Sequence, residues 1–255
     1  MTLVLPPRLT ASAASVRAAA ERRGLATVVL PSFAVPPGLR ARHLHAGPSF
    51  ADAVAPALGI AALQAPGDWL ATLPRAHTGR EITLMPLARA HALRRPVFVK
   101  SPNDKSIPAR VYPDGSRLPG LDAFAPETEV LVSDIVAFSA EYRLHVLDGA
   151  VHTGSQYAED GRPRRGPLPP AALAFAADLL AERGHTLPSA IVVDIGPTGG
   201  RWAVIEANAA WASGIYAGDP DRALDVVLRA ARPLSAVDAR DRPFVRTVPG
   251  RGGRR

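Results

Sequence analysis

Short apolar runs in the first third of the chain predict strands, and apolar residues at helical spacing lie between them. The predicted elements are a strand at Thr2–Leu5, a helix capped by Thr10 or Ser12 that runs to Arg23 and ends at Gly24, a strand at Ala26–Leu30, and helices near Ser49–Leu58 and Asp68–Leu73. A β-α-β opening of this kind is typical of a small parallel α/β unit.

The middle and end of the chain are richer in strand signals. Strands are predicted at Pro96–Lys100, Ala109–Tyr112, Glu129–Val136, Glu141–Leu147, Ala150–Tyr157, Ile191–Ile195 and Trp202–Ala207. Asp148–Gly149 is a strong two-residue hairpin signal. A loop is predicted over Glu159–Pro170, with helices at Ala171–Arg183 and from Asp221 to about Arg232.

These patterns divide the chain into three parts. Residues 1–79 form the α/β unit, and the polar stretch from Pro74 to Arg80 is interpreted as a linker. Residues 80–233 contain strand-rich halves that are each covered by helices, which indicates an α+β architecture. Residues 234–255 are interpreted as a basic, disordered tail, because chain ends rich in Arg and Pro are often disordered.

Composition excludes several classes of function. The formal charge is +7, but residues 240–255 hold six arginines against Asp241, so the other residues carry only +2 and no nucleic acid partner is expected. The chain has no cysteine, which excludes disulfides and thiolate sites. No run approaches the roughly 18 apolar residues of a membrane span. The N-terminus lacks an export pattern, so a cytoplasmic protein without a membrane partner is expected.

Lysine occurs only at Lys100 and Lys105, while 28 arginines supply the remaining positive charge. The coding bias evidently replaces lysine wherever any cation suffices, so the two retained lysines predict a need for a compact ammonium. Such a group fits against a phosphate as a point charge. A chance pair on a solvated turn is the alternative interpretation.

Three oxygen-bearing side chains are predicted to converge on the last hairpin. Glu206 and Asn208 are two residues apart on one strand and therefore share a face, and Asp194 lies across the hairpin from them. Two carboxylates and an amide oxygen suit Mg²⁺ whose coordination is completed by phosphate. The alternative is that these carboxylates reach solvent at the strand ends.

Glu141 and Arg143 share one face of a predicted strand by the same period of two. An arginine beside a cation site can bind a carboxylate or a transferring phosphoryl group through two hydrogen bonds. A surface ion pair between strands is the alternative for this residue.

Five segments follow one another along the chain: Val97–Lys100, Val130–Ile135, Glu141–Arg143, Asp194 and Glu206–Asn208. Taken in this order, they resemble the motif series of the ATP-grasp superfamily. The second lysine, the Glu141–Arg143 triplet and Trp211–Pro220 are similar to the clade named for one arginine and two lysines. The resemblance covers about residues 80–233, and residues 1–75 are similar to the α/β domain that usually precedes the grasp. It implies an ATP-grasp fold in which two α+β subdomains clasp a nucleotide.

The resemblance also implies roles for individual residues. Lys100 and Lys105 would contact the phosphates of ATP, and Glu141 would bind the ribose hydroxyls. The strand end at Ser133–Ala137 would act as a hinge, with backbone groups of Asp134, Ile135 and Ala137 reading adenine. The implied ligands of Mg²⁺ are Asp194, Glu206 and Asn208. Arg143 and Lys105 would be catalytic, with Arg143 stabilising the transferred phosphoryl group or the substrate carboxylate.

Two departures from the family pattern are visible. Ser101–Asp104 contains no glycine where many ATP-grasp enzymes have a glycine-rich loop, and Val192 stands where many have an arginine. The resemblance implies an ATP- and Mg²⁺-dependent ligase that joins a small carboxylate or peptide to an amine through an acyl phosphate. The alternatives are a kinase-like phosphotransferase and a nucleotide-binding module without turnover.

Overall fold

Four β-sheets organise the chain in the computed structural model, which describes residues 1–103 and 105–247. The strands are β1 (Thr2–Leu5), β2 (Ala26–Val29), β3 (His43–Leu44), β4 (Ile60–Ala62), β5 (Ile82–Pro86), β6 (Val97–Lys100), β7 (Arg110–Tyr112), β8 (Glu129–Ser133), β9 (Ala140–Leu147), β10 (Ala150–Glu159), β11 (Arg162–Gly166), β12 (Ala190–Thr198), β13 (Arg201–Asn208) and β14 (Ala231–Pro233). The helices are α1 (Ala11–Arg22), α2 (Pro48–Leu58), α3 (Trp69–Thr72), α4 (Arg75–Thr78), α5 (Leu87–Ala90), α6 (Pro170–Arg183) and α7 (Pro220–Ala230).

The N-terminal sheet is parallel, with strand order β2-β1-β3. Both faces of β1 are buried. Leu3 and Leu5 pack in a core that includes residues of α1 and α7, while Val4 belongs to the core on the other face. Thr10 begins α1 by accepting a hydrogen bond from the backbone N–H of Ala13 at 3.1 Å. The predicted β-α-β opening is therefore confirmed.

A four-stranded antiparallel sheet, in the order β5-β8-β6-β7, forms one wall of a cleft. Alternate residues of β6 and β8 face the same side of the sheet and are buried in a hydrophobic core: Val97, Val99, Val130 and Val132. Because side chains alternate between the faces of a strand, Lys100 and Ser133 lie on the opposite face. That face borders the cleft.

The opposite wall is a five-stranded antiparallel sheet in the order β11-β10-β9-β12-β13. One face packs against α6, and its buried strand residues include Leu144, Val146, Ile191 and Val193. The alternate positions on β9 and β12 include Arg143 and Asp194, which are direct partners across the two strands. Asp194 is also paired with Glu206 across β12 and β13. The predicted α+β class is confirmed.

Several predicted boundaries differ from the structure. Part of the expected linker forms α4, and His77, Thr78 and Arg80 are buried. The segment Ile82–Pro86 forms β5, a strand that is absent from the predicted elements. The expected loop Glu159–Pro170 contains β11, an Arg-rich strand that forms because it pairs with β10. The strand predicted to reach Val136 ends at Ser133. The division between residues 79 and 80 stays a prediction.

The interpretation of residues 234–255 as a disordered tail is wrong for the part that the structure describes. Asp241 is completely buried, accepts a hydrogen bond from the Ser189 backbone N–H at 2.8 Å and pairs with Arg232 at 2.6 Å. Arg246 binds both carboxylate oxygens of Asp52 at 2.7 and 3.0 Å. These buried partners hold the segment on the fold. Residues 248–255 of the predicted tail lie outside the described residues.

The helices of residues 1–103 and 105–247 fall short of the length and apolar character that crossing a membrane requires.

Candidate functional site

Two adjoining cavities open between the four-stranded and five-stranded sheets. The smaller has a volume of about 320 Å³ and the larger about 720 Å³. Lys100, Ala109 and Glu206 line both cavities, so these residues mark the junction. The cavities are called the small and the large cavity below.

The three predicted metal ligands meet at this junction. The side-chain nitrogen of Asn208 donates hydrogen bonds to Glu206 Oε1 at 2.8 Å and to Asp194 Oδ2 at 3.1 Å. The two carboxylates thus direct oxygens toward one point, which the amide occupies here. Rotation of the Asn208 amide would direct its oxygen toward the same point.

This donor set fits a hard divalent cation. Mg²⁺ is usually held by one or two carboxylates, with water and phosphate oxygens completing the coordination. In residues 1–103 and 105–247, no three His, Cys, Asp or Glu side chains cluster as a metal site.

Arg143 binds Asp194 directly, a contact that the sequence analysis did not predict. Its Nε and Nη2 donate to the two oxygens of Asp194 at 2.9 and 2.6 Å. Asp194 has no exposed surface and the Arg143 side chain is 12% exposed. This contact is short because the register between β9 and β12 places Arg143 directly opposite Asp194. The structure thus brings Arg143 into the metal-ligand cluster.

The two lysines lie at different positions in the large cavity. Lys100 forms an ion pair with Glu206 at the junction, and its side chain is 15% exposed. Lys105 is exposed and lines the large cavity. Lys100 is therefore fixed beside the candidate metal ligands, while Lys105 borders the open part of the large cavity.

The glycine-free loop between them is anchored by side chains. Ser101 Oγ accepts a hydrogen bond from the Ile107 backbone N–H at 2.7 Å. Asn103 donates to the Ala65 carbonyl oxygen at 3.1 Å, which fastens the loop to the N-terminal part of the chain. The described residues of this loop therefore have a fixed geometry without glycine.

The predicted adenine and ribose residues border the small cavity. Ser133, Asp134, Ile135 and Glu141 line it, and Ile135 is 49% exposed. The chain leaves β8 after Ser133, as expected for a hinge. Ala137 does not line this cavity, whereas its neighbours Val136 and Phe138 do.

Two further residues of the small cavity were not predicted. Arg80 is buried and donates to the carbonyl oxygens of Val204 at 2.9 Å and Ile205 at 3.1 Å. Tyr157 donates its hydroxyl proton to Glu141 Oε2 at 2.6 Å. Arg80 lies in the stretch interpreted as a linker. Tyr157 ends a predicted strand, so its position gives no sign of this contact.

Burial and charge pairing determine the protonation of the cluster. Burial by itself would raise the pKa of Glu206, but Lys100 and Asn208 hold that pKa below its ordinary value. Complete burial raises the pKa of Asp194 against the opposing charge of Arg143. Burial raises the pKa of Tyr157, so this hydroxyl stays protonated and donates to Glu141. Burial also lowers the pKa of Arg80 to about 10.

Similar architecture occurs in known ATP-grasp proteins. The chain is similar to the D-alanine–D-alanine ligase of Bacillus anthracis at 12% identity and a TM-score of 0.50, covering 90% of this chain and 96% of that one. It is similar to an ATP-grasp RimK domain protein of Sphaerobacter thermophilus at 18% identity and a TM-score of 0.51, covering 89% and 100%. The ATP-grasp ligase PsnB, complexed with a minimal precursor, gives 13% and 0.51, covering 89% and 98%.

These likenesses show an ATP-grasp fold, as the sequence predicted. No curated protein matches the chain in sequence. Family 2 of the ATP-grasp domains in the clade named for one arginine and two lysines matches residues 77–226, which is more than half of the chain. The protein therefore belongs to this family, and the resemblance to the clade is confirmed.

Proposed function

We propose that the protein is an ATP- and Mg²⁺-dependent ligase that joins a carboxylate to an amine through an acyl phosphate. The observation that carries this proposal is the cluster at the cavity junction. There Asp194, Glu206 and Asn208 converge within hydrogen-bond distance, with Arg143 and Lys100 bound to the two carboxylates. Family membership and the names of two fold neighbours, both ligases, support the same reaction class.

The small cavity is the proposed site of the nucleoside. Backbone groups at Asp134, Ile135 and Ala137 would read adenine, and the exposed Ile135 side chain offers an apolar contact. Ser133 would complete the hinge. Glu141 would accept hydrogen bonds from the ribose hydroxyls. Because the cavity adjoins Lys100, a nucleoside bound there would direct its phosphates toward the junction.

The junction is the proposed site of phosphoryl transfer. Lys100 and Lys105 would bind the phosphates, and Asp194, Glu206 and Asn208 would hold Mg²⁺, which neutralises phosphate charge when bound. Four cations line the large cavity against one described carboxylate, Glu206: Lys100, Lys105, Arg143 and Arg246. Glu206, Asp194 and Asp52 already pair with Lys100, Arg143 and Arg246, so the exposed Lys105 is the cation best placed to attract an anionic substrate, as a small carboxylate or an acidic or C-terminal peptide group would be.

In the proposed reaction, an oxygen of the substrate carboxylate attacks the γ-phosphorus of ATP and the bond to the ADP oxygen breaks. An amine then attacks the acyl carbon and phosphate leaves. Arg143 would stabilise the charge on the transferred group, and Lys105 would assist from the open side. Positioning and electrostatics would supply most of the acceleration.

Hydroxylamine capture tests this proposal. The full chain is incubated with Mg-ATP, hydroxylamine and pools of amino acids, peptides and small carboxylic acids, and both ADP and hydroxamate are measured. Matched formation of the two products is expected, with loss of both in Arg143→Ala. The matched control is Arg165→Ala, an exposed arginine on β11, which should retain the activity.

Other results of this experiment would favour the rival functions. ADP with a stable phosphorylated product and no hydroxamate would contradict the ligase and favour the kinase-like transferase. ATP binding without ADP from any pool would favour the binding module.

A further inference from the structure

Tyr157 occupies an irregular position in β10, next to Glu141. The strand pairing places Gln156 opposite Tyr142 and Ala158 opposite Glu141, so Tyr157 is the extra residue of a β-bulge. Bulges of this kind often occur beside active sites, where they direct a side chain that regular pairing would place differently. Here the bulge accompanies the 2.6 Å hydrogen bond from the Tyr157 hydroxyl to Glu141 Oε2.

Tyr216 supports the ring of Tyr157. The two rings are stacked, with their centroids 4.9 Å apart and an angle of 15° between their planes. Tyr216 has a φ angle of 50°, a conformation that a bulky residue adopts only when its surroundings impose it. Such outliers are concentrated at functional sites.

The loop around Tyr216 is fastened on both sides. Ser12 Oγ accepts a hydrogen bond from the Ile215 backbone N–H at 3.0 Å. Ser155 Oγ accepts one from the Ala217 backbone N–H at 3.1 Å. These contacts with α1 and β10 hold the strained residue in place, and with it the stacked pair.

The tyrosine pair connects the two cavities. Tyr157 lines the small cavity and Tyr216 the large one. The guanidinium carbon of Arg143 lies 5.5 Å from the ring centre of Tyr157 and 5.1 Å from that of Tyr216. The tyrosine pair therefore contacts both Glu141, the residue proposed to bind ribose, and Arg143, the residue proposed to bind the phosphoryl group.

We propose that Tyr157, supported by Tyr216, is a positioning residue that fixes the Glu141 carboxylate for the ribose and so selects ribonucleotides over 2′-deoxyribonucleotides. The Tyr157 hydroxyl donates a hydrogen bond to Glu141 Oε2. This bond sets the orientation of the carboxylate and directs its remaining lone pairs to the ribose hydroxyls. A site arranged around a substrate hydroxyl rejects an analogue without it, because a buried polar group then stays unpaired. This inference rests on the proposed function, in which Glu141 faces ribose.

The test compares binding of Mg-ATP and Mg-2′-deoxy-ATP to the full chain by calorimetry. We expect the wild type to favour ATP by about ten-fold or more. Tyr157→Phe keeps the stacked ring and removes only the hydroxyl, and it should lose most of this preference. Tyr142→Phe is the matched control, because Tyr142 lies on the opposite face of β9 and packs against Trp202.

A second variant keeps the test valid if Tyr157→Phe fails to fold. Glu141→Ala should lose the same preference, and the double variant should lose no more, because the two residues act through one contact. Retained preference in Tyr157→Phe or in Glu141→Ala would overturn the inference. Equal affinity of the wild type for both nucleotides would also overturn it, although the nucleotide site would stand. No binding of either nucleotide to the folded wild type would instead contradict the proposed function.

Discussion

The small and the large cavity are built from different parts of the chain. Every residue that lines the small cavity, except Leu70, falls within the family match at residues 77–226. The large cavity also draws on Gly47, Gln64 and Arg246, which lie outside that match. The lining of the small cavity thus lies almost wholly within the matched range, whereas part of the lining of the large cavity lies outside it. If the small cavity binds the nucleoside as proposed, we expect substrate choice to depend on the large cavity.

The largest effect is expected at the junction, where a change should disable both cavities. Asp194→Asn and Glu206→Gln should each reduce ADP formation by about 10²–10³-fold, because each removes a charged ligand. Their effects on stability should differ. Asp194→Asn leaves Arg143 buried without its counter-ion and should lower the unfolding free energy by about 3 kcal/mol. Glu206→Gln should lower it by about 1 kcal/mol, since Glu206 is partly exposed.

Urea denaturation of both variants measures this difference. Equal stability of the two would contradict the description of Asp194 and Arg143 as a buried pair.

Mild acid should destabilise the fold through two buried histidines, His45 and His145. His145 shares a face of β9 with Arg143, and burial lowers its pKa to about 3, while burial lowers the pKa of His45 to about 4. The folded state therefore keeps both rings neutral, whereas the unfolded chain protonates them near pH 6.5. The stability is fully present above pH 6.5 and is lost as pH falls toward 4. At pH 5 the loss is roughly 2 kcal/mol for each histidine.

Denaturation curves between pH 8 and 5 measure this loss. His145→Gln should remove part of the dependence over this range, while His45 and His43, whose pKa values are also lowered by burial, supply the remainder. A slope that is unchanged in the variant would show that other groups titrate there.

Lys100→Arg tests whether the junction requires a compact ammonium group. The ammonium of Lys100 lies between Glu206 and the proposed phosphate position, and a planar guanidinium requires more room. We expect about ten-fold weaker binding of Mg-ATP with an unchanged melting temperature. Calorimetry measures the affinity, and Arg165→Lys on β11 is the control. Wild-type affinity in Lys100→Arg would support the chance interpretation of the two lysines.

The smallest effect on nucleotide binding is expected from Arg246→Gln. Arg246 lines the large cavity only and is bound to Asp52 and Gln64. The affinity for ATP should stay within about two-fold of the wild-type value, while the KM for the carboxylate substrate should rise by about ten-fold. Arg242→Gln, an exposed change in the same segment, is the control. If ATP affinity fell as far as substrate binding, the division between the two cavities would be wrong.

The sequence predicted those site features that depend on local periodicity. Glu206 and Asn208 share a face because they are two residues apart, and the last hairpin brings Asp194 opposite Glu206. The bidentate contact between Arg143 and Asp194 depends on pairing between strands that are distant in the chain. No local pattern encodes that register.

The missed elements have physical reasons of different kinds. Only Ile82, Thr83 and Leu84 alternate in β5, and Met85 and Pro86 break the pattern, so the sequence carries a weak strand signal there. The Arg-rich β11 has little strand propensity and forms because β10 provides a pairing edge. The contact between Tyr157 and Glu141 depends on a bulge, which a period-two pattern does not reveal.

The position of the two lysines also has a consequence for chemical labelling. All side-chain amines of the chain line one cavity, because Lys100 and Lys105 are the only lysines in the sequence. Apart from the α-amino group, an amine-selective reagent such as an acetylating agent can therefore react only at this cavity. Lys105 is the exposed target, and Lys100 is shielded by its ion pair with Glu206. Mass spectrometry of the acetylated protein would thus report occupancy of the cavity without any substitution, and a bound triphosphate should protect both residues.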